Sequence, residues 1–231
     1  KGMPGLLDER ESAYNYIYVL DRQGERWLKL NEGVGLQSVY LPEAHGLAGG
    51  VWDYFLVAPF FNPPPFAADQ VDSLLLIGLA GGTVARLYSE AFGPIPIDGV
   101  ELDPEVIRVG RRWFGMDQPN LNAVAQDGRL FLSRSDRVYD VIAVDAYRPP
   151  YIPFHLTTVE FFQDVRAHLS ERGVVAVNVG RTATDYRLVE ALAATMGRDF
   201  PSVFVVDEPD EGENLGNSLV IATIRPTELD H

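Results

Sequence analysis

The chain has 231 residues, 46% of them hydrophobic and 23% charged, with a net charge of −14. That is the make-up of a globular protein able to bury a core; no basic stripe is present, which disfavours nucleic acid as a partner, and a negative field concentrates cationic substrates. The absence of cysteine excludes disulfides and thiolate chemistry, and no apolar run approaches the ~20 residues of a membrane span.

The first 12 residues are polar and are expected to be loose. YNYIYVL, residues 14–20, is aromatic and β-branched and predicts a strand. Asp21-Arg22-Gln23-Gly24 predicts a hairpin turn, with a returning strand over 26–30. A second turn falls at Asn31-Glu32-Gly33, and a third strand is expected over 34–40. Residues 52–61 are apolar and aromatic and predict a helix, which Asn62-Pro63-Pro64-Pro65 ends. The expected division is therefore a small antiparallel β domain over 1–62 and a second domain over 63–231.

Beyond that boundary, strands and helices alternate. The organising stretch is LLLIGLAGGTVAR, residues 74–86: four apolar residues, then Gly78, Gly81 and Gly82, then a helical pattern from Thr83. Glycines let a backbone approach a ligand, and a helix N-terminus offers it unpaired N–H groups. Ala80 stands where G-x-G-x-x-G has its second glycine and Thr83 where it has its last, so the spacing is nearer to the G-x-G-x-G of adenosylmethionine-binding enzymes. Further strands are expected over 96–102, 121–125, 139–144, 173–179, 203–206 and 219–223, and helices over 83–91, 104–114, 128–133, 157–169 and 187–196. This alternation predicts an α/β fold with a Rossmann-like, mostly parallel sheet covered on both faces, and with the glycine spacing it resembles the class I methyltransferase type. Ligands in such sheets bind beyond the carboxyl ends of the strands.

Carboxylates cluster at those ends. Glu101 ends the second strand of this domain about 20 residues past the glycine turn, where a carboxylate can accept from a ribose diol. Asp103 is expected to cap the helix that starts at Pro104. Asp127-Gly128 follows the third strand; the acid can accept from an exocyclic adenine amine or cap the next helix. Asp145 directly follows YDVIAV. An acid at the mouth of a buried strand is poorly solvated, so its pKa rises toward that of a general base, and Asp145 is the expected catalytic residue. His45, His155, His168 and His231 show no ligand spacing, so no metal is expected.

Together, LNEG, WDYFLVAP, LLLIGLAGGT, GVELDPEVI, AQDGRLFL, YDVIAVDAY and LTTVEFF resemble the spermidine synthase (polyamine aminopropyltransferase) family over most of the chain. LTTVEFF is similar to the family's F-T-x-E-F-Y helix start. DAYRPPYIPFHLTTVEFF resembles the branch in which this domain is often joined to membrane helices. The resemblance implies an aminopropyl transfer from decarboxylated S-adenosylmethionine to a diamine, with release of methylthioadenosine and no permanently bound cofactor. It places the donor against Gly78, Ala80, Gly81 and Gly82, its ribose on Glu101, and its adenine amine on Asp127 with Gly128 allowing the approach. Asp145 matches the first aspartate of D-[ST]-[ST]-D-P, and Gln37 falls near a substrate-contacting glutamine.

Two positions depart from the family pattern. The aspartate of G-G-G-D-G-G falls on Ala80, and the second aspartate of D-x-x-D falls on Arg148. A desolvated diamine needs carboxylate partners, so the resemblance implies a retained adenosyl half and an altered amine half, with Tyr147, Arg148 and His155 as candidate acceptor-side residues. A methyltransferase using S-adenosylmethionine on a small acceptor, and a non-catalytic nucleoside-binding or assembly module, are the alternatives. A homodimer is expected, since a small sheet has edges to cover. A cytoplasmic location, or a soluble domain of a membrane-anchored protein, is expected too. The chain opens on Lys1 without a signal-like stretch, which fits a piece of something longer.

Overall fold

The computed structural model describes residues 3–31, 35–43, 45–146, 152–209 and 215–228. Four strands, β1 (Leu6–Glu11), β2 (Tyr16–Arg22), β3 (Glu25–Leu30) and β4 (Ser38–Tyr40), form an antiparallel sheet in chain order. The turn between β2 and β3 sits on Gln23 and Gly24, at φ 59° and 91°, the left-handed pair that matches the twist of a two-residue hairpin. Residues 6–11 are thus ordered, against the expectation of a loose start. The sequence hid this strand because polar bonds hold it: Asp8 accepts from Trp113 Nε1 at 2.7 Å, and Arg10 reaches Asp8 at 2.5 Å and Glu105 at 3.4 Å. Of the third strand expected over 34–40, only Ser38–Tyr40 is paired among the described residues, and Glu32, Gly33 and Val34 lie outside them.

The apolar segment is not one helix. A single α-turn, α1 (Val51–Tyr54), passes into a 3-10 helix over Phe55–Phe61 that contains Pro59. Proline has no N–H to give the carbonyl four residues back, which here is Phe55. The hydroxyl of Tyr88 donates to that carbonyl instead, at 2.7 Å.

The larger sheet begins with β5 (Leu74–Ile77), followed by α2 (Thr83–Phe92), β6 (Ile97–Glu101), α3 (Pro104–Trp113), β7 (Leu121–Ala125), α4 (Gly128–Arg134) and β8 (Tyr139–Val144). Then come α5 (Val159–Ala167), β9 (Leu169–Thr182), α6 (Arg187–Met196), β10 (Ser202–Asp207) and β11 (Leu215–Thr223). Its order is β10-β11-β9-β8-β5-β6-β7, parallel from β9 to β7 and antiparallel where β11 enters between β9 and β10. The chain runs outward from β5 through β6 to β7 and then crosses to β8 on the other side of β5. That is the switch point at which such sheets bind ligands.

Strand periodicity divides the core. Leu74, Leu76, Val141, Ala143, Val174 and Ala176 face α2 and the α1 segment, while Leu75, Ile77, Ile142, Val144, Val175 and Val177 face α5 and α6. Ile17, Val19 and Leu28 of the small sheet pack on Val106, Val109 and Phe114. The two sheets are also stitched by Asp103, fully buried, whose Oδ1 caps α3 at Glu105 N while Oδ2 accepts from Ser12 Oγ and Asn15 Nδ2. Among the described residues no helix is long and apolar enough to cross a membrane, and no group of three or more acidic and histidine side chains could hold a metal.

Candidate active site

The glycine turn is built from left-handed backbone. Gly78, Ala80 and Gly82 take φ of 94°, 46° and 86°, a region costly for any residue with a Cβ. A Cβ on Gly78 would lie 2.4 Å from the carbonyl oxygen of Asp145, and Asp145 N donates to Ile77 O at 2.8 Å. The ends of β5 and β8 therefore touch, and Asp145 lies against the turn because residue 78 has no side chain. A Cβ on Gly81 would meet Ser38, whose hydroxyl accepts from Gly81 N at 2.9 Å. Buried Thr83 bonds both the N–H and the carbonyl of Val39. The small sheet thus braces the turn from behind, and the N–H groups of residues 78–82 are all donated within the fold: Gly81 N to Ser38, Ala80 N to Glu101, and those of Gly78, Leu79 and Gly82 to backbone carbonyls.

Glu101 stands at the end of β6, half-buried. Oε2 accepts from Ala80 N at 2.9 Å and Oε1 from Asp103 N at 3.2 Å. Burial pushes its pKa upward, against the pull of these N–H groups. Each carboxylate oxygen has room for a second hydrogen bond, so the group can take a diol while fixed in place. Leu102, next in the chain, is 47% exposed and offers an apolar face beside it.

Asp127 is the N-cap of α4, with Oδ1 accepting from Leu130 N at 2.9 Å. Its Oδ2 lies 3.0 Å from His155 Nε2. The His155 carbonyl accepts from Arg129 at 3.0 Å, so the histidine is tied to α4 on two sides. A Cβ on Gly128 would lie 2.3 Å from Ile77 Cγ2; the glycine is needed for α4 to pass close to β5. Gln37 turns inward to its own hairpin, where Oε1 accepts from Leu30 N at 2.9 Å. Tyr147 and Arg148 lie outside the described residues.

The structure brings Gly78, Ala80, Glu101, Asp127 and Asp145 to the carboxyl edge of β5, β6, β7 and β8. Asp145 is the most perturbed carboxyl group of this set. Burial raises its pKa to about 7, with a hydrogen bond from Asn178 pulling the other way. Asn178 Nδ2 donates to Asp145 Oδ1 at 2.8 Å from β9. The sequence reading missed Asn178 and Ser38. The first had a signal, a lone amide in the apolar run GVVAVNV; the second had none, because only the packing of the two sheets brings residue 38 to residue 81.

A mostly parallel sheet with helices on both faces and a glycine turn at its switch point define a Rossmann-like fold of the methyltransferase type. Residues 70–207 match the family model of the spermine/spermidine synthase domain, and the chain belongs to that family. It is 35% identical over 198 residues to a probable polyamine aminopropyl transferase of Bifidobacterium longum, covering 83% of this chain and 42% of that protein. It is 26% identical over 251 residues to an N-terminal histidine N-methyltransferase of Emericella nidulans, covering 94% of this chain and again 42% of the relative. The chain thus spans less than half the length of either. The crystal structure of a probable spermidine synthase from Corynebacterium glutamicum superposes with a TM-score of 0.80 at 21% identity, over 96% of this chain and 81% of that one, a likeness of fold.

Proposed function

We propose that this chain is an aminopropyltransferase that uses decarboxylated S-adenosylmethionine and an amine, with an acceptor site altered from that of a diamine enzyme. The observation that carries it is Asp145: its backbone lies against the glycine turn at the switch point, and burial raises the pKa of its carboxyl group to about 7. A group of that pKa is poised to take a proton at neutral pH. The donor is held at the turn with its ribose on Glu101 and its adenine amine near Asp127. The amine nitrogen attacks the methylene carbon on the sulfonium, and the carbon–sulfur pair returns to sulfur. The sulfonium becomes the neutral thioether of methylthioadenosine, and the proton lost by nitrogen passes to Asp145.

Three features support the altered acceptor half. Ala80 and Arg148 stand where the resemblance places carboxylates, and His155 faces Asp127. The division at residue 62 belongs to this reading, with the N-terminal sheet as the brace of the turn and as the edge through which a dimer forms. Methyl transfer from S-adenosylmethionine is the second reading, favoured by the N-methyltransferase among the relatives. Incubation with each donor and a panel of primary amines separates the two. Methylthioadenosine release with the decarboxylated donor is expected. S-adenosylhomocysteine as the sole product would replace aminopropyl by methyl transfer, and nucleoside binding with no product from either donor would leave a binding module.

A further inference from the structure

Asn178 is a polar residue in the middle of a buried strand, 6% exposed, between Val177 and Val179 at 0%. Its Nδ2 donates to Asp145 Oδ1 at 2.8 Å. Its Oδ1 is buried and has no hydrogen-bond partner among the described residues. A buried carbonyl oxygen without a donor is costly, and such exceptions ask for a cause. Rotating the amide does not remove the cost while Asp145 is ionised, because it would set oxygen against carboxylate oxygen. Alternation along the strands puts Asn178 on the sheet face of Val174 and Ala176, and Asp145 on the face of Val141 and Ala143, which is one and the same face.

We propose that Asn178 Oδ1 and the Asp145 carboxylate form a paired acceptor for a primary amine or ammonium group, one N–H donated to each. The inference deepens the transferase reading and rests on it for the placement of the acceptor beside Asp145. It adds a selection rule. A primary amine brings at least two N–H groups and fills both acceptors. A hydroxyl brings one hydrogen and a tertiary ammonium one N–H, and each leaves one oxygen bare. A binding site whose buried polar groups go unpaired rejects the analogue that leaves them so. Asn178 is a binding residue in this scheme and takes no proton itself.

The test is calorimetric titration of n-butylamine, n-butanol and N,N-dimethylbutylamine into the protein with methylthioadenosine present, at pH 8. The native chain is expected to bind the primary amine about tenfold or more tightly than either analogue, and Asn178→Leu to lose that preference. Asn178→Ser serves as the second variant if the leucine disturbs the strand, with retained methylthioadenosine binding as its check of folding. Equal affinity for the three probes, no binding of n-butylamine by the native chain, or an unchanged preference in a folded variant overturns the pair. Methylthioadenosine release is measured on the same samples with the decarboxylated donor. Selective binding without release fails the transferase reading and keeps the pair; release with an unchanged KM for the amine in Asn178→Leu does the reverse.

Discussion

The backbone N–H of Ala80 donates to Oε2 of Glu101 at 2.9 Å, so the turn after β5 holds the carboxylate that ends β6. A second bond from Asp103 N fixes the other oxygen. The acid is thereby oriented before any ligand arrives, and binding need not spend free energy on ordering it. Replacing Glu101 by Ala removes the proposed ribose acceptor and orphans two N–H groups. Methylthioadenosine affinity is expected to fall about tenfold to a hundredfold, the loss of ~1.5–3 kcal/mol from a charge-assisted contact. Glu101→Gln keeps the shape and one carbonyl and is expected to fall between. Calorimetry with methylthioadenosine decides it; unchanged affinity in both variants removes the ribose role.

Ala80 at φ 46° carries a side chain in left-handed backbone. Ala80→Gly relieves about 1–2 kcal/mol of steric cost and gives back ~0.5–1 kcal/mol in chain entropy. Thermal melting is expected to show a change within about 1 kcal/mol, on the stabilising side. Aspartate tolerates this conformation better than alanine does, so Ala80→Asp is expected to fold and to tighten binding of the cationic donor relative to neutral methylthioadenosine. A rise in neither affinity nor their ratio would detach residue 80 from donor charge.

The glycine turn and the strand ends after it were legible because each obeys a local rule. Leu74–Ile77 is four apolar residues closed by Gly78, and Pro104 with Asp103 in front of it spells a capped helix start; both stand where the pattern puts them. What was illegible depends on contacts between elements. Residues 6–11 pair with β2, and the polar side chains Asp8 and Arg10 dock that strand on Trp113 and Glu105, about a hundred positions on. The apolar 52–61 segment has helical composition, yet Pro59 withholds the N–H that an α-helix needs there. The roles of Gly81 and Gly128 are likewise invisible in the chain, because Ser38 and Ile77 approach them only in the fold.

Asp127 serves two neighbours, the cap of α4 and His155. Asp127→Ala is expected to lower stability by about 1 kcal/mol, the usual worth of an N-cap. Asp127→Asn keeps a capping oxygen and is expected to restore most of that loss. If the carboxylate also takes the adenine amine, nucleoside affinity stays reduced in the asparagine variant while the melting temperature recovers. Recovery of both together would leave Asp127 a cap alone.

In the proposed reading, the charge at residue 148 bears on the acceptor. A cation facing a diammonium substrate is repulsive, and a carboxylate in its place is attractive. Arg148→Asp is expected to raise the release of methylthioadenosine with putrescine. If putrescine stays unused while another acceptor serves the native chain well, the diamine assignment is wrong.

Asp145 makes a claim on stability that needs no substrate. Its pKa is raised from the ordinary 3.8 to about 7 by burial, so folding binds the proton more tightly than the unfolded chain does. Below pH 3.8 both states hold the proton and the group is neutral in the balance. Between 3.8 and about 7 the unfolded chain is ionised and the folded one is not, so stability drains away as pH rises; above about 7 the loss is complete and constant. Asp145→Asn removes the ionisation and keeps the shape, and its amide can still bond Asn178. The variant is therefore expected to gain in melting temperature over native protein progressively from about pH 4 to about pH 7, with a plateau beyond. The same substitution is expected to abolish turnover on any amine while nucleoside affinity changes little, because an amide takes no proton. A stability difference that is flat in pH would refute the buried, protonated carboxyl; full turnover in the variant would refute its role as base, whatever the acceptor.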